Sequence, residues 1–356
     1  MTDLGSDRIR RTARRQGSRL LSRLTRGLQT PTAWLTALGL LLYLPGLGGY
    51  PLRTWDEAIY AMAARYALER GDYVFPHLYW LASNSEIVYQ PFLEKPPLSM
   101  WLMMISMALF GITEFAARLP QALAAAAVAP VMYLGTRSAI GSRRAAIGGG
   151  VWLTTAFVVT GNNAARFGGT DALHTLAGTV FVLTVWRLVN AQTTSEHNLN
   201  NRSSGDGSRP RLAFRAVGVA AGISLLIKGF AAGVFVIAVL PLVLVRWRVF
   251  VRRWRATLEL VGITVALALP WVLAAYQRYG DRLIEELIRE QVVGRATGEI
   301  SGGGYETTFA FMRFPYFRRL LVQFDPWIYF LVPAVIWSIW YGVYRRRDGR
   351  VTTDGW

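Results

Sequence analysis

The sequence has no cysteine and little charge for its length. Of its 356 residues, 17% are charged and 53% are hydrophobic. The lack of cysteine excludes disulfides, zinc-thiolate sites and thiol chemistry. Several apolar runs approach the length of about 20 residues that a membrane-spanning helix needs. This composition excludes a soluble globular domain, and it predicts an all-α polytopic membrane protein whose backbone is satisfied within its helices.

Lysine is almost absent as well. Lysine and arginine together number 39, yet the only two lysines are Lys95 and Lys228. One explanation of this pair is codon bias toward arginine, which leaves two lysines by chance. Another is that a lysine near a membrane extends its amine toward water. Lysine differs from arginine in being a compact point charge. Both lysines stand in motif-like settings, so we interpret both as candidates for contact with an anionic group.

The arginines carry most of the net charge of +17. They cluster at the ends of apolar runs, which is the pattern that orients a membrane protein. A nucleic-acid partner is therefore not expected. Each cluster is predicted to be cytoplasmic, and together they cover residues 1–30, 137–144, 202–211, 246–255 and 345–350.

Nine apolar runs are candidates for spans, and the charge clusters decide which of them cross. An even number of crossings must separate the first two clusters, so one of the three runs between them does not cross. Run 98–112 is short and follows Pro96 and Pro97, and it is predicted to lie at the membrane interface. Eight spans remain, at 31–50, 120–136, 145–160, 172–190, 212–227, 230–245, 257–275 and 327–344.

This topology divides the chain into a basic cytoplasmic tail, one transmembrane domain and a second cytoplasmic tail. The three parts are 1–30, 31–344 and 345–356. The protein is then a multi-pass cell-membrane protein with both termini in the cytoplasm. Its long outer loops are 51–119 and 276–326, its short outer turns are 161–171 and 228–229, and its cytoplasmic linker is 191–211.

The first outer loop begins with a capping-box pattern. Thr54 is predicted to cap a helix and Glu57 to reach back to it, while Gly71 ends the helix. Asp56 then remains as the free carboxylate. On pattern alone, an acid that complements the helix dipole is the more common explanation of Asp56. An apolar stripe on the same helix suits the membrane surface, at Ile59, Ala63, Tyr66 and Ala67.

Other ionisable residues stand near the predicted outer face. Glu114 and Arg118 are four residues apart, which favours an ordinary ion pair. Asp171 and His174 share a helix face and supply two metal ligands at most. With three histidines in the chain, a metal site built by the protein is not predicted. No cofactor is certain from the sequence, and a divalent metal ion stays open.

The second long outer loop begins at Asp281, which is predicted to cap a short amphipathic helix. Ile284, Leu287 and Ile288 form the apolar side of this helix, and it ends near Gly294. Arginines follow at positions 295, 313, 318 and 319. Positive charge there is not needed for topology, and it suits an anionic headgroup.

An ordered series of short motifs runs through these segments. It resembles the GT-C membrane glycosyltransferases, and it is most similar to the lipid A aminoarabinose transferases and the protein O-mannosyltransferases. The resemblance covers about residues 31–340. Its motifs are Trp55-Asp56-Glu57-x-x-Tyr60, Gly71-Asp72, Glu94-Lys95-Pro96-Pro97-Leu98, Phe110-Gly111, Glu114-x-Ala116-x-Arg118-Leu119-Pro120, Thr170-Asp171-Ala172-Leu173, Lys228-Gly229 and Pro270-Trp271.

The resemblance implies a GT-C-like bundle of about eight transmembrane helices, with interfacial helices in the two outer loops. It also implies a polyprenyl-phosphate sugar donor and a hydroxyl acceptor on a lipid, glycan or protein outside the cytoplasm. Membrane lipids are then partners, and a membrane partner protein stays open. Asp56 and Asp171 match the catalytic acids. The expected substrate-binding residues are Glu57, Tyr60, Glu94, Lys95, Arg118, Lys228 and Arg295.

The sequence departs from the family pattern in its second outer loop. Relatives often carry a histidine there, whereas this chain has Glu290-Gln291-Val292-Val293-Gly294-Arg295, so a zinc-dependent site is not expected. Many relatives also continue into further spans and a soluble domain, whereas this sequence ends at Trp356. Two alternatives come from other classes. A transporter or flippase predicts an internal repeat, which the sequence does not show, and an inactive scaffold subunit predicts indifference to Asp56.

Overall fold

The structure is a computed structural model that describes residues 30–81, 86–155, 164–198, 208–294, 327–330, 333–337 and 340. Within these ranges the chain is mostly helical. The main elements are α1 (Pro31–Tyr43), α2 (Asp56–Arg70), β1 (His77–Leu81), β2 (Ile87–Pro91), α3 (Leu98–Phe110), α4 (Glu114–Ile140), α5 (Ser142–Thr154), α6 (Asp171–Asn198), α7 (Ser208–Lys228), α8 (Gly233–Val245), α9 (Trp247–Arg252), α10 (Trp254–Tyr279) and α11 (Asp281–Leu283). A 3₁₀ turn, Gly229–Ala232, links α7 to α8, and a π-helix, Ile284–Gly294, follows α11.

Several of these helices are long and apolar enough to cross a bilayer. The described residues contain four such segments: Glu114–Ile140, Asp171–Asn190, Arg211–Val245 and Trp254–Tyr279. The protein is therefore a multi-pass, mainly helical membrane protein. Helix α3 has 13 residues, and at 1.5 Å per residue it rises only about 20 Å. That is less than the hydrocarbon thickness of about 30 Å, and α1 and α5 also have 13 residues each. Which of the runs 31–50, 98–112 and 145–160 cross the membrane stays a prediction.

The third of these segments folds back on itself. The ring of Phe214, near the start of α7, lies 5.9 Å from the ring of Phe250 in α9. Helix α8 must therefore return alongside α7. The reversal occurs at Gly229, whose φ of +55° is easily adopted only by glycine. The sequence predicts this turn at residues 228–229, and it separates two apolar runs.

Contacts between helices give the bundle two distinct ends. Gly39 of α1 packs on Ala126 of α4, and Tyr43 bonds to the Leu153 carbonyl at the end of α5. Helices α4 and α6 start side by side, because Gln121 bonds to the Leu173 N–H. We call the end formed by residues 44–57, 114–121, 164–173 and 228–233 the loop end. The arginines of 137–144, 211–215 and 246–255 lie at the other end, which we call the basic end.

The prediction of an all-α protein was wrong in one respect, because the first outer loop contains an antiparallel hairpin. Strand β1 pairs with β2 so that His77 faces Pro91 and Leu81 faces Ile87. Each strand has five residues and only a brief alternation of polar and apolar side chains. Such a short alternation is a weak signal beside long helical runs.

The start of α2 also differs from the prediction. Trp55, not Thr54, occupies the N-cap position, and no side chain caps the helix. Trp55 has a φ of +70°, a conformation that is costly for a bulky residue. The expected apolar stripe does not lie on a membrane surface, since Ala63 and Ala67 are fully buried against other helices. The end of α2 is as predicted, because Gly71 adopts the left-handed conformation there.

Two other predicted segments, the linker and the start of the second-loop helix, differ in detail from the structure. Helices α6 and α7 extend into the expected linker 191–211 from both sides, because polar residues continue a helix once its first turns have formed. Asp281 begins the helix of the second loop, but Gly280 takes the N-cap position. Residues 1–29, 199–207, 295–326 and 341–356 lie outside the described residues.

Candidate functional site

Asp56 is the first residue of α2 at the loop end of the bundle. Its side chain is half-buried, and it forms no hydrogen bond or ion pair with any residue that the structure describes. Trp55 precedes it in a strained backbone conformation, with 75% of its surface exposed. Asp56 also lies close enough to Glu94 for its charge to raise the pKa of that carboxyl group. The carboxylate is thus available next to the Glu94-Lys95 motif.

Glu57 is entirely buried and fully bonded. Its two oxygens accept hydrogen bonds from Arg118 Nε at 2.7 Å and Arg118 Nη2 at 3.0 Å. They also accept from the backbone N–H groups of Arg53 and Gly168, each at 2.7 Å. Burial raises the pKa of Glu57, but the hydrogen bonds and the charge of Arg118 outweigh it and lower the pKa below 4.5. Glu57 is therefore ionised in the fold.

Arg118 is equally buried, and its remaining donors reach the backbone. Its guanidinium bonds to the carbonyls of Leu47, Tyr50 and Pro51 at 2.8–2.9 Å. It also lies 3.8 Å from the centre of the Tyr50 ring. The prediction that Arg118 pairs with Glu114 was wrong. Arg118 pairs instead with both carboxylate oxygens of the buried Glu57, whereas Glu114 is exposed. The Glu57–Arg118 pair joins the loop after α1, the start of α2 and the loop before α6.

Lys95 is 8% exposed and donates a hydrogen bond to the hydroxyl of Tyr60. Its ammonium lies 4.9 Å from the centre of the Tyr60 ring. Tyr60 is on the second turn of α2, four residues after Asp56, so Lys95 contacts the helix that begins at Asp56. That Tyr60 and Lys95 bind substrate stays a prediction.

Glu94 faces an acidic neighbourhood. It accepts a hydrogen bond from Gln291 of the π-helix at 3.2 Å. Burial raises its pKa above 4.5; Lys95 opposes that shift, while Glu290, Glu286 and Asp56 reinforce it. The neutral form of this carboxyl group is therefore favoured more than that of an exposed glutamate.

The π-helix closes one side of this region. Glu286 accepts from the backbone N–H of Leu93 at 3.3 Å and from Arg282 at 2.6 Å. Leu287 is buried beside Leu93 in the same apolar cluster. A Cβ added to Gly229 would touch Pro96 and Leu287, so the α7–α8 turn, the Glu94–Pro97 segment and the π-helix meet.

Asp171 and Lys228 form an ion pair on the other side of this turn. Their side chains are 33% and 20% exposed, so both remain accessible from the loop end. One turn into α6, His174 is buried with its Nε2 unpaired, and its ring lies 4.7 Å from that of Phe235. Within the described ranges, no three His, Asp or Glu side chains gather to hold a metal ion.

The structure thus brings the predicted residues to one end of the bundle in three groups. Asp56 lies on the same helix as Tyr60, the partner of Lys95, and near Glu94. Glu57 is paired with Arg118, and Asp171 is paired with Lys228. Arg295 lies outside the described residues. The sequence reasoning missed Gln121 and Glu286, whose partners are distant along the chain. A polar residue in an otherwise apolar helix was the only available signal for Gln121.

Fold and site together define a helical membrane protein with a carboxylate and a buried lysine at one end of its bundle. Known proteins with the same kind of fold match this chain. Residues 94–199 match the family described as dolichyl-phosphate-mannose-protein mannosyltransferase. The structure is similar to that of ArnT from Cupriavidus metallidurans bound to undecaprenyl phosphate, with a TM-score of 0.62 and 22% identity. That match covers 86% of this chain and 50% of ArnT. The fold is therefore shared.

Curated relatives include two arabinosyl transferases that act on undecaprenyl phosphate-alpha-4-amino-4-deoxy-L-arabinose, by name. The Pectobacterium atrosepticum protein is 30% identical over 249 residues, which are 69% of this chain and 40% of the relative. The Pseudomonas aeruginosa protein is 29% identical over 259 residues, which are 71% of this chain and 42% of the relative. The chain thus spans about two fifths of these relatives' length. The resemblance to the GT-C membrane glycosyltransferases is confirmed.

Proposed function

We propose that this protein is a membrane glycosyltransferase that moves a sugar from a polyprenyl-phosphate carrier to a hydroxyl acceptor. The observation that carries the proposal is the placement of an unengaged carboxylate, Asp56, near Glu94 and one helical turn from Tyr60, which binds the buried Lys95. The names of the relatives support a lipid-phosphate donor. An acceptor hydroxyl on a lipid, glycan or protein fits the same chemistry.

In the proposed reaction, the acceptor oxygen attacks the anomeric carbon of the sugar. The bond between that carbon and the phosphate oxygen breaks, and the polyprenyl phosphate leaves with the bonding electrons. Asp56 takes the proton of the acceptor hydroxyl, a role that typically contributes about 10²–10⁴-fold. The leaving phosphate is stable as an anion, so no side chain has to protonate it.

Lys95 is proposed to offset the negative charge of the phosphate. A cation held in place before the reaction stabilises developing charge without reorganising, and Tyr60 holds the Lys95 ammonium in this way. Glu94 is proposed to contact the donor beside Lys95. Arg295 is proposed as an additional phosphate contact.

Glu57 and Arg118 serve the reaction indirectly in this proposal. Every donor and acceptor of the pair is used within the fold, so they orient the segment that carries Asp56 and do not touch substrate. Asp171 and Lys228 are accessible and are proposed to orient the sugar or the acceptor. This distinction separates residues whose replacement unfolds the site from residues whose replacement affects turnover alone.

The proposed topology has eight spans, two cytoplasmic tails at 1–30 and 345–356, and an extracytoplasmic loop end. Its support is the arrangement of the bundle, in which arginines gather at the basic end and the candidate site lies at the opposite end. Cytoplasmic segments are enriched in arginine and lysine. The long outer loops 51–119 and 276–326 then both contribute to the site.

The test is a transfer assay on the protein in nanodiscs with radiolabelled polyprenyl-phosphate sugars. Three variants are compared with the parent: Asp56→Asn, Lys95→Met and the control Glu114→Gln, which changes an exposed acid at the same end. We expect Asp56→Asn to lower release of label about 10²-fold or more. Lys95→Met should lower it to a similar extent, and Glu114→Gln should retain parental turnover.

Thermal unfolding of each variant separates a loss of activity from a loss of fold. Equal turnover by Asp56→Asn and the parent would remove Asp56 from the role of base. Absence of turnover with every carrier, in protein that unfolds at the parental temperature, would contradict the proposed function. In that case a scaffold or transport role would explain the protein better.

A further inference from the structure

The side chain of Gln121 bonds to the backbone on both sides of Asp171, before it and after it. It lies in α4, one turn after Arg118, and is 1% exposed. Its Nε2 donates to the carbonyl of Gly169 at 2.5 Å. Its Oε1 accepts from the backbone N–H of Leu173 at 3.0 Å. Both polar atoms of one buried side chain are thus committed to backbone groups that bracket Asp171.

The Leu173 contact is a helix cap supplied from another helix. Asp171 is the first residue of α6, and the first N–H groups of a helix have no partner within it. Such groups are usually satisfied by the residue just before the helix. Here the side chain of Gln121, 52 residues earlier in the sequence, satisfies the N–H of Leu173. The start of α6 is therefore fixed relative to α4.

The position of Asp171 follows from these two bonds. With the Gly169 carbonyl and the Leu173 N–H held, little backbone rotation is left to the residues between them. Asp171 then directs its carboxylate at Lys228, with which it pairs. Arg118 and Gln121 are three residues apart and share one face of α4, so a single helix face supports both Asp56, through Glu57, and Asp171.

We infer that Gln121 is a positioning residue that clamps the backbone around Asp171 and thereby orients the Asp171–Lys228 pair. The kinetic part of this inference rests on the proposed function, in which the Asp171–Lys228 pair orients the sugar or the acceptor. Its structural part, the cap on α6, stands on the two hydrogen bonds alone. The two parts are therefore tested by separate measurements.

The kinetic measurement uses Gln121→Glu, Gln121→Leu and Asp171→Asn, singly and in combination, in the transfer assay. Gln121→Glu keeps an acceptor for Leu173 and loses the donor to Gly169, whereas Gln121→Leu loses both. Because a small misplacement of a positioning group is costly, we expect kcat/KM to fall about 10-fold in Gln121→Glu and more in Gln121→Leu. In the Asp171→Asn background, Gln121→Glu should change kcat/KM less than about 2-fold, as coupled residues do.

The control is Tyr133→Phe, on the same helix at the basic end, which removes the hydroxyl that bonds to Ser142. It should retain parental kinetics. If Gln121→Glu lowers kcat/KM equally with Asp171 and with Asn at position 171, Gln121 does not act through Asp171 and the inference is overturned. Unchanged kinetics in both Gln121 variants would overturn it as well.

The second measurement is amide hydrogen exchange by mass spectrometry over peptides that contain residues 169–176. Loss of the cap should raise the exchange rate there about 10-fold in Gln121→Leu relative to the parent. Tyr133→Phe should leave that rate unchanged. Equal rates in Gln121→Leu and the parent would refute the clamp. If the parent transfers no sugar from any carrier, the proposed function fails, and this measurement alone decides whether Gln121 clamps Asp171.

Discussion

Single residues at the loop end divide into those that build the site and those left available to a ligand. The Glu57–Arg118 pair belongs to the first group. Breaking a buried pair by removing one partner leaves an uncompensated charge. We therefore expect Arg118→Met to lower the free energy of unfolding by about 3–5 kcal/mol, measured by thermal or denaturant unfolding in detergent.

The double variant Glu57→Gln/Arg118→Met is the internal check on that expectation. With both charges gone, no buried ion is left unpaired, so part of the lost stability should return. A double variant that is as unstable as the sum of the two single variants would show that the charges act independently. The pair would then not be the junction that the hydrogen bonds describe.

Glu57 and Glu94 should respond to pH in opposite directions. The lowered pKa of Glu57 means that its contribution to stability is complete above about pH 4.5 and is lost as the pH falls through the lower, folded pKa. The raised pKa of Glu94 means that its contribution is complete below about pH 4.5 and is lost as the pH rises through the higher, folded pKa.

Replacement by glutamine makes this contrast measurable. Glu57→Gln should lower the unfolding temperature at pH 7, and its difference from the parent should shrink as the pH falls below about 4.5. Glu94→Gln resembles the neutral acid, so it should raise the unfolding temperature at pH 7, with the difference disappearing below about pH 4.5. Shifts of the same sign in both variants at pH 7 would contradict the assigned environments.

Between elements, glycine permits a close approach of two helix backbones. Helices α7 and α10 approach so tightly that a Cβ at Gly218 would lie 2.6 Å from the Leu260 carbonyl oxygen. That atom is backbone and does not move aside easily. Small residues at such crossings are typical of membrane helices. Gly218→Ala should therefore force the two helices apart and lower the stability of the bundle by about 1–3 kcal/mol.

Gly262 on α10 is the matched control, because a Cβ there has no neighbour within 4 Å. Alanine favours a helix over glycine by about 0.5–1 kcal/mol, so Gly262→Ala should be neutral or stabilising. Both variants are compared by thermal unfolding under identical detergent conditions. Equal unfolding temperatures for the two would show that α7 and α10 are not in close contact.

The sequence predicted those elements whose signals lie within a short window. Gly71 ends α2 and the chain turns at 228–229 because a glycine in each place adopts a left-handed conformation. The prediction failed where the hydrogen-bond partner of a residue is distant along the chain. Glu114 is four residues from Arg118, but the partner in the fold is Glu57, 61 residues away. Burial and the number of available donors decide that choice, and neither quantity is visible in local spacing.

For the whole molecule, orientation across the membrane is open to a direct measurement, since the chain has no native cysteine. Ile112 and Ile140 flank the two ends of α4, and each is 46% exposed. Single Ile112→Cys and Ile140→Cys variants are treated with a membrane-impermeant maleimide. In intact cells only Ile112→Cys should be labelled, with Ile140→Cys reacting after lysis. The reverse pattern would place the candidate site in the cytoplasm.

The Glu57–Arg118 junction also bears on the order in which the chain is assembled. Glu57 leaves the ribosome 111 residues ahead of Gly168, the residue whose N–H completes its hydrogen bonds. At ordinary rates of synthesis this interval is roughly 5–20 s. Throughout that time Glu57 lacks one of its partners, so the hydrogen bonds that hold the segment carrying Asp56 are incomplete. The part of the site that is translated first is therefore among the last to take its final shape.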